Sequence, residues 1–268
     1  MPAWLEAYPG KIPRYARDDR KRVSLTQFSH LFGPPSGALR TSARTAIRRL
    51  KSLVGLDVYR RSEVAAGTVR LGDAGGRWSV VPEGLGAHSV VFALGVGTDI
   101  SFERDLIARY GVTVHAFDPT PIALEWAARQ RLPERFVLHP YGVADFDGRA
   151  RFAAPRKRKF ASFSLVRSDG AGPGVDAPVR RLASLAGMLQ LPPPDLIKMD
   201  IEGAEYAVLA DVLESGFRPR QILVEFHHRW REVGARRTRD ALALLGRHGY
   251  RIAEVAANGM EYTFLREA

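Results

Sequence analysis

Pro194-Asp195-Leu196-Ile197-Lys198-Met199-Asp200-Ile201-Glu202-Gly203-Ala204-Glu205 joins an apolar strand to a cluster of charge. The run Leu196-Ile197 with Met199 delivers Asp200 at its end, and a turn then starts a helix at about Glu202 that continues through Ala204-Glu205-Tyr206-Ala207-Val208-Leu209. Carboxylates and a lysine beside a buried strand are costly unless they are paired, hydrogen-bonded or at work. In an open α/β sheet, ligands sit outside the carboxyl ends of the strands. Asp200 thus has two readings. It is a functional group on the rim of a sheet, or it caps the following helix while Glu202 and Glu205 complement the helix dipole.

Outward from this segment, strands and helices alternate from residue 88 onward. The strand expectations are Ser89–Leu94, Val112–Phe117, Arg135–Val143, Leu196–Met199 and Gln221–Phe226. Helices are expected over Phe102–Tyr110, Pro121–Arg131, Leu182–Leu189, Ala204–Glu214 and Arg237–His248. Such alternation predicts an α/β fold with a doubly wound, largely parallel sheet. The end, Tyr250–Val255, Ala257-Asn258-Gly259 and Tyr262–Leu265, reads as an antiparallel hairpin closing that sheet. A shorter hairpin is expected from Thr68-Val69-Arg70-Leu71 and Trp78-Ser79-Val80-Val81. Residues 153–181, with Arg156-Lys157-Arg158-Lys159 and a glycine-rich run, read as an irregular insertion suited to a lid or binding loop.

The first strand of the series runs into Leu94-Gly95-Val96-Gly97-Thr98-Asp99-Ile100. Glycines after a buried strand let the backbone pass close to a ligand, and the following helix presents free N–H groups. The dinucleotide fingerprint G-x-G-x-x-G would need glycine where Ile100 stands, which disfavours nicotinamide and flavin chemistry. The second strand ends Phe117-Asp118-Pro119, and an acid at that tip can accept both hydroxyls of a ribose. Asp118 as an N-cap, and the glycines as a tight turn, are the plain alternatives. Together, the two features describe an adenosine pocket without a diphosphate clamp, which suits S-adenosylmethionine. The third strand should border the adenine, with Tyr141 and Gly142 as its wall; His139 reads as structural.

Composition bounds the remainder. The chain has 268 residues, 46% hydrophobic, no cysteine and a net charge of +11. Disulfides, thiolate metal sites and cysteine nucleophiles are therefore excluded. No apolar run approaches the ~20 residues of a spanning helix, and the first residues show no secretory pattern, so a cytoplasmic setting is expected. Residues 1–70 hold 14 Lys+Arg against 5 Asp+Glu, so +9 of the charge sits there. Residues 1–62 read as a basic N-terminal extension and 63–268 as the main domain, with its core over 88–268. Within the extension, 39–54 form an amphipathic helix with Arg40, Arg44, Arg48, Arg49 and Lys51. It either packs on the domain with its arginine face solvated or lies on an anionic membrane surface, as a peripheral contact, or on nucleic acid.

These blocks resemble the FkbM family of S-adenosylmethionine-dependent methyltransferases over roughly 88–268. The resemblance rests on Leu94-Gly95-Val96-Gly97, Val114-His115-Ala116-Phe117-Asp118-Pro119, Gly142-Val143-Ala144-Asp145-Phe146-Asp147-Gly148, the segment 195–205, and Ile222-Leu223-Val224-Glu225-Phe226-His227. It implies a class I Rossmann-like methyltransferase, acting as an O-methyltransferase on a sugar, glycan or other natural product, as in polysaccharide biosynthesis. The cofactor set it implies is Gly95, Gly97, Asp99, Asp118, Pro119, Tyr141 and Gly142. The strand tips facing the methyl group carry Asp200, Glu225 and His227, with His227 or Asp200 as general base and Glu225 as orienter. The same three residues could instead hold a divalent metal that acidifies the hydroxyl. His227 as a packed histidine beside Trp230 is the plain reading. An RNA-binding or RNA-modifying protein, though nucleic acid is the less favoured partner, and a non-catalytic adapter are the rival functions.

Overall fold

The computed structural model describes residues 37–153 and 174–267. Expectations for residues 1–36 and for the basic quartet 156–159 lie outside the described residues. The chain runs α1 (Gly37–Leu53), β1 (Val69–Leu71), β2 (Trp78–Val80), β3 (Val90–Leu94), α2 (Ser101–Tyr110), β4 (Thr113–Phe117) and α3 (Pro121–Ala127). There follow β5 (Phe136–His139), β6 (Gly142–Val143), β7 (Gly148–Ala153), β8 (Gly174–Arg180), α4 (Leu182–Met188) and β9 (Leu196–Met199). The last elements are α5 (Glu205–Glu214), β10 (Gln221–Glu225), α6 (Gly234–Arg247), β11 (Tyr250–Val255) and β12 (Glu261–Arg266).

Seven strands form the central sheet in the order β11-β12-β10-β9-β3-β4-β5. The five from β5 to β10 are parallel, and β12 closes the sheet antiparallel to both β10 and β11. The doubly wound α/β architecture with its C-terminal hairpin is thus the one expected. Strand residues alternate between faces, so both faces of a covered parallel sheet must be apolar. Phe92, Leu94, Ile197, Met199, Ile222 and Val224 join Leu185, Val208, Val212 and Leu245 of the helices in one buried cluster. Val91, Ala93, Leu196 and Leu223 point the other way, onto Leu71, Trp78 and Val80 of the β1–β2 hairpin and Phe102 and Leu106 of α2. Burying each of the Val, Leu, Ile, Phe and Met side chains stabilises the fold by about 1.5–3 kcal/mol. Gln221, fully buried, moors the hairpin like an extra strand: its amide donates to the Val81 carbonyl at 2.7 Å and accepts from the Val81 N–H at 2.9 Å.

The chain order fixes where a ligand can enter. From β3 the chain steps to β4 and β5 on one side, while β9 and β10 lie on the other. The crevice at this reversal lies between the ends of β3 and β9, which is where open α/β sheets bind ligands.

Four sequence expectations are revised. The strand expected over 135–143 is divided into β5 and β6 at Pro140, which has no N–H to give a ladder. β6 leaves for a separate sheet ordered β6-β8-β7. The insertion expected to be irregular includes strand β8, paired antiparallel with β7 from Gly148↔Val179 to Ala153↔Gly174; Ala177 and Val179 on it are buried at alternate positions. The helix over 121–131 ends at Ala127. The packed reading of α1 is also revised in part: Arg49 and Lys51 are exposed as expected, but Arg48 bonds across to Ala257, and Ile47, Leu50 and Leu53 are 54%, 65% and 84% exposed. Among the described residues, no helix is long and apolar enough to cross a membrane.

Candidate active site

The end of β3 is set by a close approach that only glycine allows. Gly95 has φ +76°, and a Cβ there would run into the carbonyl oxygen of Asp200 on the neighbouring strand end. The ladder continues across this point: the Asp200 N–H donates to Leu94 O at 2.9 Å, and the Gly95 N–H donates to Phe117 O at 3.0 Å. The glycine loop is thereby clamped between the tips of β4 and β9.

Asp118, at the tip of β4, completes the clamp. Its Oδ2 accepts from the N–H groups of Val96 (3.2 Å) and Gly97 (2.9 Å). Its Oδ1 accepts from the Thr120 N–H (2.9 Å) and the Thr120 hydroxyl (2.6 Å). The side chain of a buried acid therefore organises both the glycine loop and the entry to α3, whose N-cap is Thr120, not Asp118. All of the carboxylate's roughly four acceptor positions are engaged. A ribose would reach it by displacing the Thr120 hydroxyl, the one donor that rotates freely. Asp99 sits on the same loop and accepts from the Ser101 N–H at 2.9 Å, next to Gly76 of the hairpin.

A cavity of about 230 Å³ opens over these tips. The expected Gly95, Gly97, Asp99, Asp118, Pro119 and Gly142 line it; Tyr141 does not, and packs instead against the helix-side core. Sequence reasoning missed Trp78 and Arg77, which the β1–β2 hairpin adds as a wall, and Glu103 from α2. It also left Lys198 without a role, although a lysine inside a fully buried strand was itself a signal. Lys198 Nζ lies 3.3 Å from Glu103, 3.2 Å from the Gly95 carbonyl and 5.4 Å from the centre of the Trp78 ring. Burial alone would strip its proton, but Glu103 and then Asp200 outweigh it and hold the ammonium charged.

The opposite end of the cavity is acidic, with Asp200, Glu202, Glu225 and Glu261. Glu225 and Glu261 face each other across β10 and β12, an arrangement like charges resist. Burial and then the Asp200 charge push the Glu225 carboxyl up to about 8. Burial likewise raises Glu261. The Asp200 side chain is 32% exposed through the cavity, but its Oδ1 is buried, 4.0 Å from His227 Nε2 and without a hydrogen-bond partner among the described residues. Burial pushes it up and Lys198 pulls it back, leaving it at about 6. It does not cap α5, which starts at Glu205 after the positive-φ pair Glu202 (53°) and Gly203 (97°); Ala204 is the N-cap. The helix thus starts one residue after the expected Ala204, and the turn before it leaves Glu202 lining the cavity.

His227 stands behind these acids and does not line the cavity. Its Nε2 lies 3.2 Å from Glu202 and its Nδ1 3.2 Å from the fully buried Glu205, which also accepts the His227 N–H at 3.0 Å. Burial would lower its pKa, but the bonds to Glu202 and Glu205 win and raise it to about 11. An imidazolium has no lone pair to accept a proton, so His227 is placed as a cationic brace rather than a free base. The same geometry bears on a metal. The group that converges within 4.8 Å is Asp200, Glu202 and His227, without the expected Glu225. These three groups are spaced to hold a divalent cation, with Glu205 steadying the imidazole through Nδ1, but the cation would have to displace the proton on Nε2.

The family model described as "Methyltransferase FkbM domain" matches residues 85–252. No curated protein matches the sequence. Among solved structures, an FkbM methyltransferase from Methylobacillus flagellatus KT is similar at 16% identity and TM-score 0.45; the match covers 68% of this chain and 44% of that one. A fibrillarin from Aeropyrum pernix with natively bound S-adenosyl-L-methionine is similar at 9% identity and TM-score 0.36, covering 67% and 66%. A precorrin-6y C5,15-methyltransferase from Geobacter metallireducens GS-15 gives 15% identity and TM-score 0.35, covering 67% and 80%. With its family model spanning the β3–β10 core and both clamped strand tips, the chain belongs to the FkbM methyltransferase family.

Proposed function

We propose that this protein transfers a methyl group from S-adenosylmethionine to a hydroxyl of a sugar, glycan or other natural product. When bound, the cofactor supplies an electrophilic methyl on a sulfonium. Asp118 holds the ribose, Gly95 and Gly97 let the nucleoside approach the backbone, and Gly142 and Pro119 border the adenine. Asp200, poised near neutrality and partly open to the cavity, takes the proton from the acceptor hydroxyl as it attacks. Glu225, protonated near pH 7, donates a hydrogen bond that orients the acceptor. His227 keeps Glu202 and Glu205 in place.

The observation carrying this reading is the charge of the cavity's acceptor end. Asp200, Glu202, Glu225 and Glu261 gather there, and the buried cation Lys198 is committed to Glu103. Those acids that stay ionised disfavour a phosphate-rich chain, whereas a polyol can donate to them and accept from the protonated Glu225. The test is mass spectrometry of products after incubation with methyl-labelled cofactor and a panel of hydroxylated metabolites and glycans. Label in a methyl ether supports the proposal. Label on RNA, or on no acceptor while the cofactor binds, contradicts it.

The cofactor part has its own check. Asp118→Ala removes a charged acceptor that serves the ribose and two loop N–H groups, each such bond being worth about 1.5–3 kcal/mol. Calorimetry is expected to show affinity for S-adenosylhomocysteine weakened at least about 10- to 100-fold. Unchanged affinity would remove Asp118 from the binding set.

A further inference from the structure

We propose that the outward face of α1 docks this protein on an anionic lipid bilayer. Ile47, Leu50, Leu53 and Val54 follow one another at helical spacing, and Leu56 extends the row; they are 54%, 65%, 84%, 64% and 70% exposed. Water around five aliphatic side chains in one row is unfavourable, and a contiguous exposed apolar patch marks a contact surface.

The helix does not bury this row by rolling, because its other edge is fastened. Arg48 donates to the carbonyls of Ala257 (3.3 Å) and Val58 (3.5 Å), and the Ser52 hydroxyl accepts the Tyr59 N–H at 3.3 Å. Just beyond the helix, Asp57 is buried, with Oδ1 2.7 Å from His228 Nε2 and Oδ2 3.3 Å from Arg229. Rotation of α1 would pull on this pair and strand a buried charge, which is strongly unfavourable. The apolar row is therefore held outward by construction.

Charge identifies the occupant. Arg49 and Lys51 are exposed on the same helix. Residues 20–56 contain eight Lys and Arg and no Asp or Glu. An aliphatic row with flanking cations matches the acyl boundary and anionic headgroups of a bilayer, with the helix lying in its plane. A second copy fits less well, since face-to-face α1 helices would set Arg49 and Lys51 against their own kind. RNA would leave the aliphatic row without a partner. This docking is independent of the acceptor proposed above.

The 268-residue chain is sedimented with vesicles of phosphatidylcholine alone or mixed with phosphatidylserine. Binding is expected only to the mixed vesicles and is expected to fall as salt rises. Arg49→Gln and Lys51→Gln should each weaken it about five-fold, the equivalent of one surface cation at an anionic membrane. Leu50→Ser with Leu53→Ser should abolish it while leaving cofactor binding and thermal stability intact, which confirms the variant is folded. Absence of binding to mixed vesicles, equal binding to both kinds, or indifference to salt would overturn the proposal. A concentration-dependent dimer that Leu53→Ser dissolves, without vesicle binding, would also overturn it.

Discussion

Gly95→Ala is expected to abolish cofactor binding and lower the thermal midpoint by roughly 5–15 °C. Two separate costs underlie this. A φ of +76° is expensive for any residue with a Cβ, and the new methyl would collide with the Asp200 carbonyl. That carbonyl belongs to backbone, and Asp200 is itself locked to Leu94 by a 2.9 Å ladder bond, so it does not retreat as a side chain would. Strain of about 1–3 kcal/mol in the dihedral adds to overpacking of about 1–3 kcal/mol. The tips of β3 and β9 must then separate, and the cavity between them changes shape. Gly97→Ala is the control: its φ is +54°, but a Cβ there meets nothing within 4 Å, so only the dihedral cost applies. Differential scanning calorimetry of the two variants should separate them clearly. Equal small losses in both would mean that the approach of Gly95 to Asp200 does not matter for the fold.

Asp200→Asn is expected to cut kcat by about 10²–10⁴-fold with cofactor affinity nearly unchanged, the usual cost of losing a positioned proton acceptor. Asparagine keeps the size and an acceptor oxygen but accepts no proton from a hydroxyl. The pH profile provides a second readout. Asp200, raised by burial to about 6, is competent above that value, so the rate should fall as pH drops through it. Glu225, raised to about 8, serves as a donor below that value, so the rate should also fall as pH climbs past it. The wild-type profile should be a bell between these limits. In Asp200→Asn the acidic limb should disappear from the residual activity. A full-rate Asp200→Asn enzyme would show that the proton leaves by another route.

How much of this was legible in the sequence depends on the range of the interaction involved. Buried parallel strands such as Val90–Leu94 and Leu196–Met199 are apolar on both faces, so their positions could be read locally. The glycine loop, Asp118 and Asp200 were readable for the same reason, because each sits at the tip of such a strand. The bond network around Asp118 was not readable: it links residues 96, 97 and 120 across two strand ends, and it makes the ribose candidate a brace for the glycine loop as well. His227 shows the limit most clearly. From sequence it was a neutral base candidate, but folding places Glu202 and Glu205 on its two nitrogens and fixes its charge. β8 was missed because its alternation, with only Ala177 and Val179 buried, is weak beside the glycine-rich run before it. For α1, the pattern showed an apolar face, but only the fastening of Arg48, Ser52 and Asp57 reveals which way that face points.

A crystal structure with S-adenosylhomocysteine bound tests the whole arrangement most directly. The ribose hydroxyls should lie within hydrogen-bonding distance of Asp118, with the Thr120 hydroxyl turned aside, and the sulfur should face Asp200 across the acidic end of the cavity. A nucleoside seated elsewhere, or Asp118 still holding all its present donors while the product is bound, would contradict it.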